Sequence, residues 1–168
     1  MRLLSAALAL LFATSAVAKT PVSSDTNDAT CPDKPGSKVT SLPQWRQGDT
    51  LPCMYAGTLA ASSAPVHNLF YWLFKNTKLE NPSLVLWLNG GPGSSSMFGL
   101  FMENGPLRVK STGPGKGDLE VGLTSDGYGS WLDDADVVFL DNPVGAGFSY
   151  GEKDSLATSM QQISDEML

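Results

Sequence analysis

Residues 84–96 read LVLWLNGGPGSSS, a short and almost continuous apolar run that breaks directly into Asn89-Gly90-Gly91-Pro92-Gly93. An apolar run of this length fits a strand buried on both faces, as in parallel sheets covered by other layers. The glycines that follow leave their backbone N–H groups unshielded by side chains, and Pro92 stiffens the turn. Unshielded amides where a strand passes toward a helix bind anions: a phosphate, a carboxylate or a developing oxyanion.

The phosphate alternatives fail on spacing. A Walker loop requires Gly-x-x-x-x-Gly-Lys-Ser/Thr, and GPGKGD at 113–118 lacks both the first glycine and the hydroxyl residue. The dinucleotide spacing Gly-x-Gly-x-x-Gly fails after Gly91 and again after Gly145. Without the preceding strand, Gly-Gly-Pro-Gly would read as an ordinary tight turn; with it, an oxyanion-binding loop is the stronger reading.

Outward from that turn the chain alternates strands and helices. CMYAGTLA (53–60) and VHNLFYWLFKN (66–76) flank ASSAP, which predicts an antiparallel hairpin. Residues 94–103 predict a short helix capped by a serine, and PLRVK (106–110) a short strand. Residues 111–130 read as Gly- and Ser-rich loop, and DVVFLD (136–141) as a second buried strand. Leu156, Met160, Ile163 and Met167 fall at helical spacing, and no stop signal for that helix precedes Leu168. The expected fold is an α/β sheet with an antiparallel start that becomes parallel.

The chain has 168 residues, 42% of them hydrophobic, enough to bury a core. Its net charge of −6, with no run of lysines or arginines, argues against nucleic acid and anionic membrane surfaces as partners. Arg2, the apolar Leu3–Phe12 and Ala16-Val17-Ala18 read as a secretory signal peptide over 1–18 rather than a membrane anchor. Residues 19–50 are polar and proline-punctuated, an extended segment ahead of the domain expected over 51–168. In an oxidising compartment Cys31 and Cys53 are expected to pair. One histidine and two cysteines without short spacing give no metal-ligand set, and no cofactor is implied.

PSLVLWLNGGPGSSSMFGLFMENGPLRV, with SLP…YAGTL, LFYWLF and GSWLDDADVVFLDNPVGAGFSY in order, resembles the serine carboxypeptidases. These are secreted, lysosomal or vacuolar hydrolases that remove C-terminal residues. The resemblance runs from about Val39 to the end and implies an α/β-hydrolase fold, here its N-terminal strands alone, and a Ser–Asp–His triad. It implies that Gly91 offers one oxyanion-hole N–H. Asn89 and the Gly90 amide would hold the free C-terminal carboxylate of a peptide. Glu103, in MENGP, matches a glutamate that hydrogen-bonds a second glutamate beside the nucleophile; outside the resemblance it reads as a solvated helix-end charge. Ser94 departs from the pattern, because the family usually carries a cysteine there; the disulfide of that cysteine is expected to be absent.

Gly147-Phe148-Ser149-Tyr150-Gly151 spells the Gly-x-Ser-x-Gly of a nucleophile elbow. An elbow joins strand to helix directly, whereas DNPVGA separates the 136–141 strand from Gly147. Ser149 is therefore expected to be a scaffold residue. The family's nucleophile lies in Gly-Glu-Ser-Tyr-Gly-Gly, and no such string occurs before Leu168. The resemblance thus places nucleophile, acid and base all beyond Leu168. His67 is expected on a strand surface, outside any triad. Asp133, Asp134, Asp136 and Asp141 are expected to cap strands or line loops. The sequence thus reads as the front portion of a serine carboxypeptidase, inactive by itself, with an incomplete gene or transcript as the reason. The alternative is a genuine short product that binds peptide C-termini weakly.

Overall fold

The computed structural model describes residues 31–34, 36–63, 65–115, 117–124 and 129–167. The expected signal peptide and the rest of the segment before residue 31 lie outside the described residues. So does Leu168, the position beyond which the triad is expected.

Aromatic and β-branched residues build the long hairpin, β1 (Met54–Ser63) and β2 (Val66–Phe74), paired antiparallel from Met54↔Phe74 to Ser63↔Val66. A register shift between Ala60 and Ser62 bends β1 near the turn. Next come β3 (Leu84–Trp87), α1 (Met97–Met102), β4 (Leu107–Ser111) and β5 (Leu119–Leu123). The chain continues through β6 (Asp136–Leu140), the two-residue β7 (Tyr150–Gly151) and α2 (Met160–Asp165). The main sheet runs β1-β2-β6-β3, with β7 on β2. β2 and β6 are antiparallel, whereas β6 and β3 are parallel, with Val85 beside Val137 and Trp87 beside Phe139. An antiparallel start followed by a parallel pair is the order that the sequence predicts.

β6 is the central, buried strand, and its side chains alternate between two clusters. Val137 and Phe139 join Met54, Phe74, Met97, Leu100 and Leu107 in the main core. Leu140 packs with Leu69 and Val144 on the opposite face. Met97 and Leu100 are what α1 buries, so its apolar side is pinned against the sheet directly after the glycine turn. Edge-on contacts of Phe74 with Phe139 and of Trp72 with Phe101 fix the ring packing there.

Several expectations need correction. β3 is not buried on both faces: it is an edge strand with β6 as its one neighbour, and Leu84 and Leu86 are 67% and 49% exposed. Trp87, on the other face, packs against the main core. The stretch 111–130 is not all loop. β5 pairs antiparallel with β4 and is also bridged to the N-terminal segment at Trp45↔Val121. The helix at 94–103 is shorter, and the hydroxyl of its N-cap residue Ser96 makes no cap bond. α2 starts at Met160 because Ser159 and Gln162 form a capping box, leaving Leu156 before the helix. At its other end α2 stops at Asp165, with Glu166 as its C-cap, although the sequence shows no stop signal there.

Cys31 and Cys53 form a disulfide, which ties the N-terminal segment to the start of β1. The Tyr55 hydroxyl lies 3.7 Å from both sulfurs and donates to the Pro32 carbonyl at 2.6 Å. Burial raises the Tyr55 pKa above its ordinary value, with Lys75 acting in the opposite direction. No helix among the described residues is long and apolar enough to cross a membrane. No group of three or more His, Cys, Asp or Glu among them is placed to hold a metal ion.

Candidate functional site

β3 and β6 are parallel neighbours, so the loops leaving their C-terminal ends emerge side by side. The first is Asn89–Ser96 and the second is Asp141–Ser149. Asp141 joins them. Its carboxylate is fully buried and accepts three hydrogen bonds: from the Ser96 N–H at 2.7 Å, the Ser95 hydroxyl at 2.8 Å and the Phe148 N–H at 2.8 Å. The Ser96 hydroxyl donates to the Leu140 carbonyl at 2.6 Å and accepts the Asn89 N–H at 3.0 Å. Ser96 thus serves both strand ends, and the Ser95 hydroxyl accepts the Met97 N–H at 3.2 Å in its place.

Within this frame the glycine turn is held open. Gly91 has φ +142°, a conformation side chains resist, and a Cβ there would sit 3.1 Å from the Ser94 nitrogen. Gly90 and Gly91 are exposed, and among the described residues their N–H groups donate to no protein acceptor. Asn89 is half-buried and oriented: its Oδ1 accepts the Trp87 indole N–H at 3.0 Å. Its Nδ2 consequently has both hydrogens to offer and no protein partner among the described residues. Trp87 is itself fixed by an edge-on contact with Trp131, centroids 5.2 Å apart.

α1 approaches this group closely because residue 99 is glycine. A Cβ there would collide with the Trp87 indole nitrogen and crowd Asn89 Oδ1 to 3.0 Å. The Gly99 carbonyl accepts the N–H groups of Glu103, Asn104 and Gly105, which turns the chain sharply at the helix end. Glu103 lies exposed at that C-cap. Arg108 closes the turn by donating to the carbonyls of Leu100, Glu103, Gly105 and Leu107. Desolvation there lowers the Arg108 pKa, although a guanidinium stays charged.

The structure therefore gathers Asn89, Gly90 and Gly91 at one exposed edge, with Glu103 one helical turn from the glycine that packs on Asn89. Three unshielded donors at that edge suit a carboxylate or an oxyanion. Asp141 lines the loop as the sequence predicts, whereas the supporting roles of Trp87, Ser95 and Ser96 are not among the sequence expectations. Trp87 was findable, because residues two apart on a strand share a face.

Ser149 is 4% exposed and fully engaged, donating to the Asp141 carbonyl at 2.6 Å and accepting the Phe70 N–H at 2.7 Å. It is a brace between β2 and the second loop. Asp133 forms a capping box with Ser130. Asp136 accepts the Asn76 N–H and pairs with Lys75 at 2.9 Å. His67 departs from expectation: it is 5% exposed, buried rather than on the surface. Its ring sits between Ser155 and Glu166.

The family model described as serine carboxypeptidase matches residues 44–168. The chain is 40% identical over 152 residues to a pheromone-processing carboxypeptidase KEX1 of Tuber melanosporum, covering 88% of this chain and 23% of that protein. It is 42% identical over 131 residues to the protein of the same name from Phaeosphaeria nodorum, covering 77% of this chain and 19% of the other. The crystal structure of Kex1(delta)p, a prohormone-processing carboxypeptidase from Saccharomyces cerevisiae, superposes with a TM-score of 0.58 at 30% identity. That match covers 69% of this chain and 26% of the yeast chain. The chain thus spans about a fifth to a quarter of the length of these relatives.

Proposed function

The chain belongs to the serine carboxypeptidase family, and from that premise we propose that it supplies the carboxylate-binding and oxyanion side of an enzyme releasing C-terminal residues from peptides and proteins. The observation that carries the proposal is the oriented Asn89 amide. With Oδ1 committed to Trp87, Nδ2 and the Gly90 N–H are left to receive a free C-terminal carboxylate. An internal peptide bond offers no such anion, so this contact makes the enzyme an exopeptidase. The Gly91 N–H then faces the carbonyl oxygen that becomes negative during attack, and stabilises it there. Glu103 contributes to the carboxylate side. Ser149, committed to structural bonds, does not serve as the nucleophile of that reaction, and we assign the triad to the part of the longer relatives that this chain does not span. Peptide and protein C-termini are the substrates. The disulfide and the N-terminal pattern support the secretory pathway, with extracellular, lysosomal or vacuolar delivery.

A chimera tests this directly. Residues 31–168, which keep the Cys31–Cys53 disulfide, replace the corresponding segment of the Saccharomyces cerevisiae carboxypeptidase, which provides the remainder of the fold. We expect release of the last residue from an N-blocked dipeptide acid and not from its amide. Asn89→Ala in the chimera should lower kcat/KM about 10–100-fold, the loss of one to two charge-assisted hydrogen bonds. A folded chimera that cleaves acid and amide alike would refute the assignment.

A further inference from the structure

A second constellation lies away from the glycine turn, around the chain's single histidine. His67 stands on β2 between Ser62 of β1 and Gly151 of β7. Its Nδ1 is 3.1 Å from Glu166 Oε1, and its Nε2 is 2.8 Å from Ser155 Oγ. The side chains of His67 and Glu166 are 7% and 8% exposed, and Glu166 Oε2 is held by the Val144 N–H at 3.2 Å. A carboxylate fixed on the Nδ1 side selects the tautomer with hydrogen on Nδ1. The Nε2 lone pair then faces the serine hydroxyl.

The Ser155 hydroxyl donates to the Glu152 carbonyl at 2.7 Å, but that carbonyl also accepts the Ser155 N–H at 3.0 Å. The hydroxyl hydrogen can turn to Nε2 without leaving a carbonyl unpaired. All three side chains line one cavity of about 330 Å³, together with Ser62 and Gln162. Gln162 Oε1 is occupied by the N–H groups of Thr158 and Ser159, and among the described residues its Nε2 has no acceptor. The cavity therefore contains a nucleophile, a base, an orienting acid and an unspent amide donor.

We infer that Ser155, His67 and Glu166 form a nucleophilic site, one that takes the acyl group of small unhindered esters. Ser155 Oγ attacks the ester carbonyl while its proton passes to His67 Nε2. The ester C–O bond breaks and the proton leaves with the alcohol. Water then adds to the acyl-serine, gives its proton to Nε2, and releases the acid as Ser155 recovers its hydrogen. A structural clasp that merely tied α2 to the sheet would leave the serine inert.

The test uses the full 168-residue chain, disulfide intact and folded by near-UV circular dichroism, with p-nitrophenyl acetate. We expect an acetyl group trapped by acid quench early in the reaction and mapped by mass spectrometry to Ser155, absent in Ser155→Ala. His67→Gln should slow acetylation about 100-fold or more, the usual effect of removing a general base. Acetylation confined to lysines, no acetylation, or a rate indifferent to His67→Gln would overturn the site. Nitrogen-15 labelling of the one histidine reads the unaltered chain independently. Hydrogen on Nδ1 is expected, and a ring that carries its hydrogen on Nε2 alone would overturn the proposal.

Discussion

Asp141→Ala removes the one carboxylate that joins the two loops at the candidate site. Three donors lose their acceptor: the Ser96 and Phe148 N–H groups and the Ser95 hydroxyl. Each buried donor stripped of its partner costs about 1–3 kcal/mol. The Ser95 hydroxyl can rotate to another acceptor, so the two amides dominate and the sum is about 5 kcal/mol. That is comparable to the whole stability of a small domain, roughly 5–15 kcal/mol. Asp141→Asn is the informative partner. Placed with its carbonyl at the Oδ1 position it keeps two of the three donors, and its NH2 opposes the Phe148 N–H. Losing one partner and the charge on the other two costs about 2–3 kcal/mol. Urea unfolding of the chain, monitored by tryptophan fluorescence, measures both. The expected order is wild type, then Asp141→Asn, then Asp141→Ala, with unchanged slope for the variants that fold. A loss under about 1 kcal/mol for Asp141→Ala would refute the role of the carboxylate as the joint between the loops. So would Asn and Ala variants of equal stability.

Gly99→Ala should push α1 off Trp87 and Asn89, costing about 1–3 kcal/mol and shifting the Trp87 indole N–H resonance out of its hydrogen-bonded position. Replacing Cys31 and Cys53 by serine should cost about 3 kcal/mol, the chain-entropy value for a separation of 22 residues, read as a lowered urea midpoint. Asp49 gives an acid-dependent contribution. Its hydrogen bond from Arg46 lowers its pKa below 3.8, against desolvation and with help from the Leu123 N–H. A carboxyl depressed on folding stabilises the native state above its unfolded pKa, and the contribution disappears as pH falls through the lower folded value. Asp49→Asn should therefore flatten the stability curve below about pH 4, and a parallel displacement at all pH values would contradict the assignment.

The hairpin and β6 were legible because their apolar patterns and the ASSAP turn are local signals. Burial of β3 was not, because LVLW states only that a strand forms; its position in the sheet decides whether a neighbour covers it. β5 was hidden by the surrounding glycines and serines, although Leu119, Val121 and Leu123 alternate, and its partner β4 is what makes that alternation a strand. Asn89, Gly90 and Gly91 came from motif and resemblance. The support that orients them did not, because Asp141 and Ser96 meet only after β3 and β6 pair. Burial of His67 is not legible for the same reason: its partners Ser155 and Glu166 come from the far end of the chain.

A nitrogen-15 chemical-shift titration of the chain bears most directly on recognition of a free C-terminus. The ligands are an N-blocked dipeptide acid and the same dipeptide as its amide. Shifts of the Gly90 and Gly91 N–H and of the Asn89 side-chain amide with the acid, and not with the amide, are the expected result. Equal shifts with both ligands, or shifts confined to residues away from Asn89–Gly91, would contradict it.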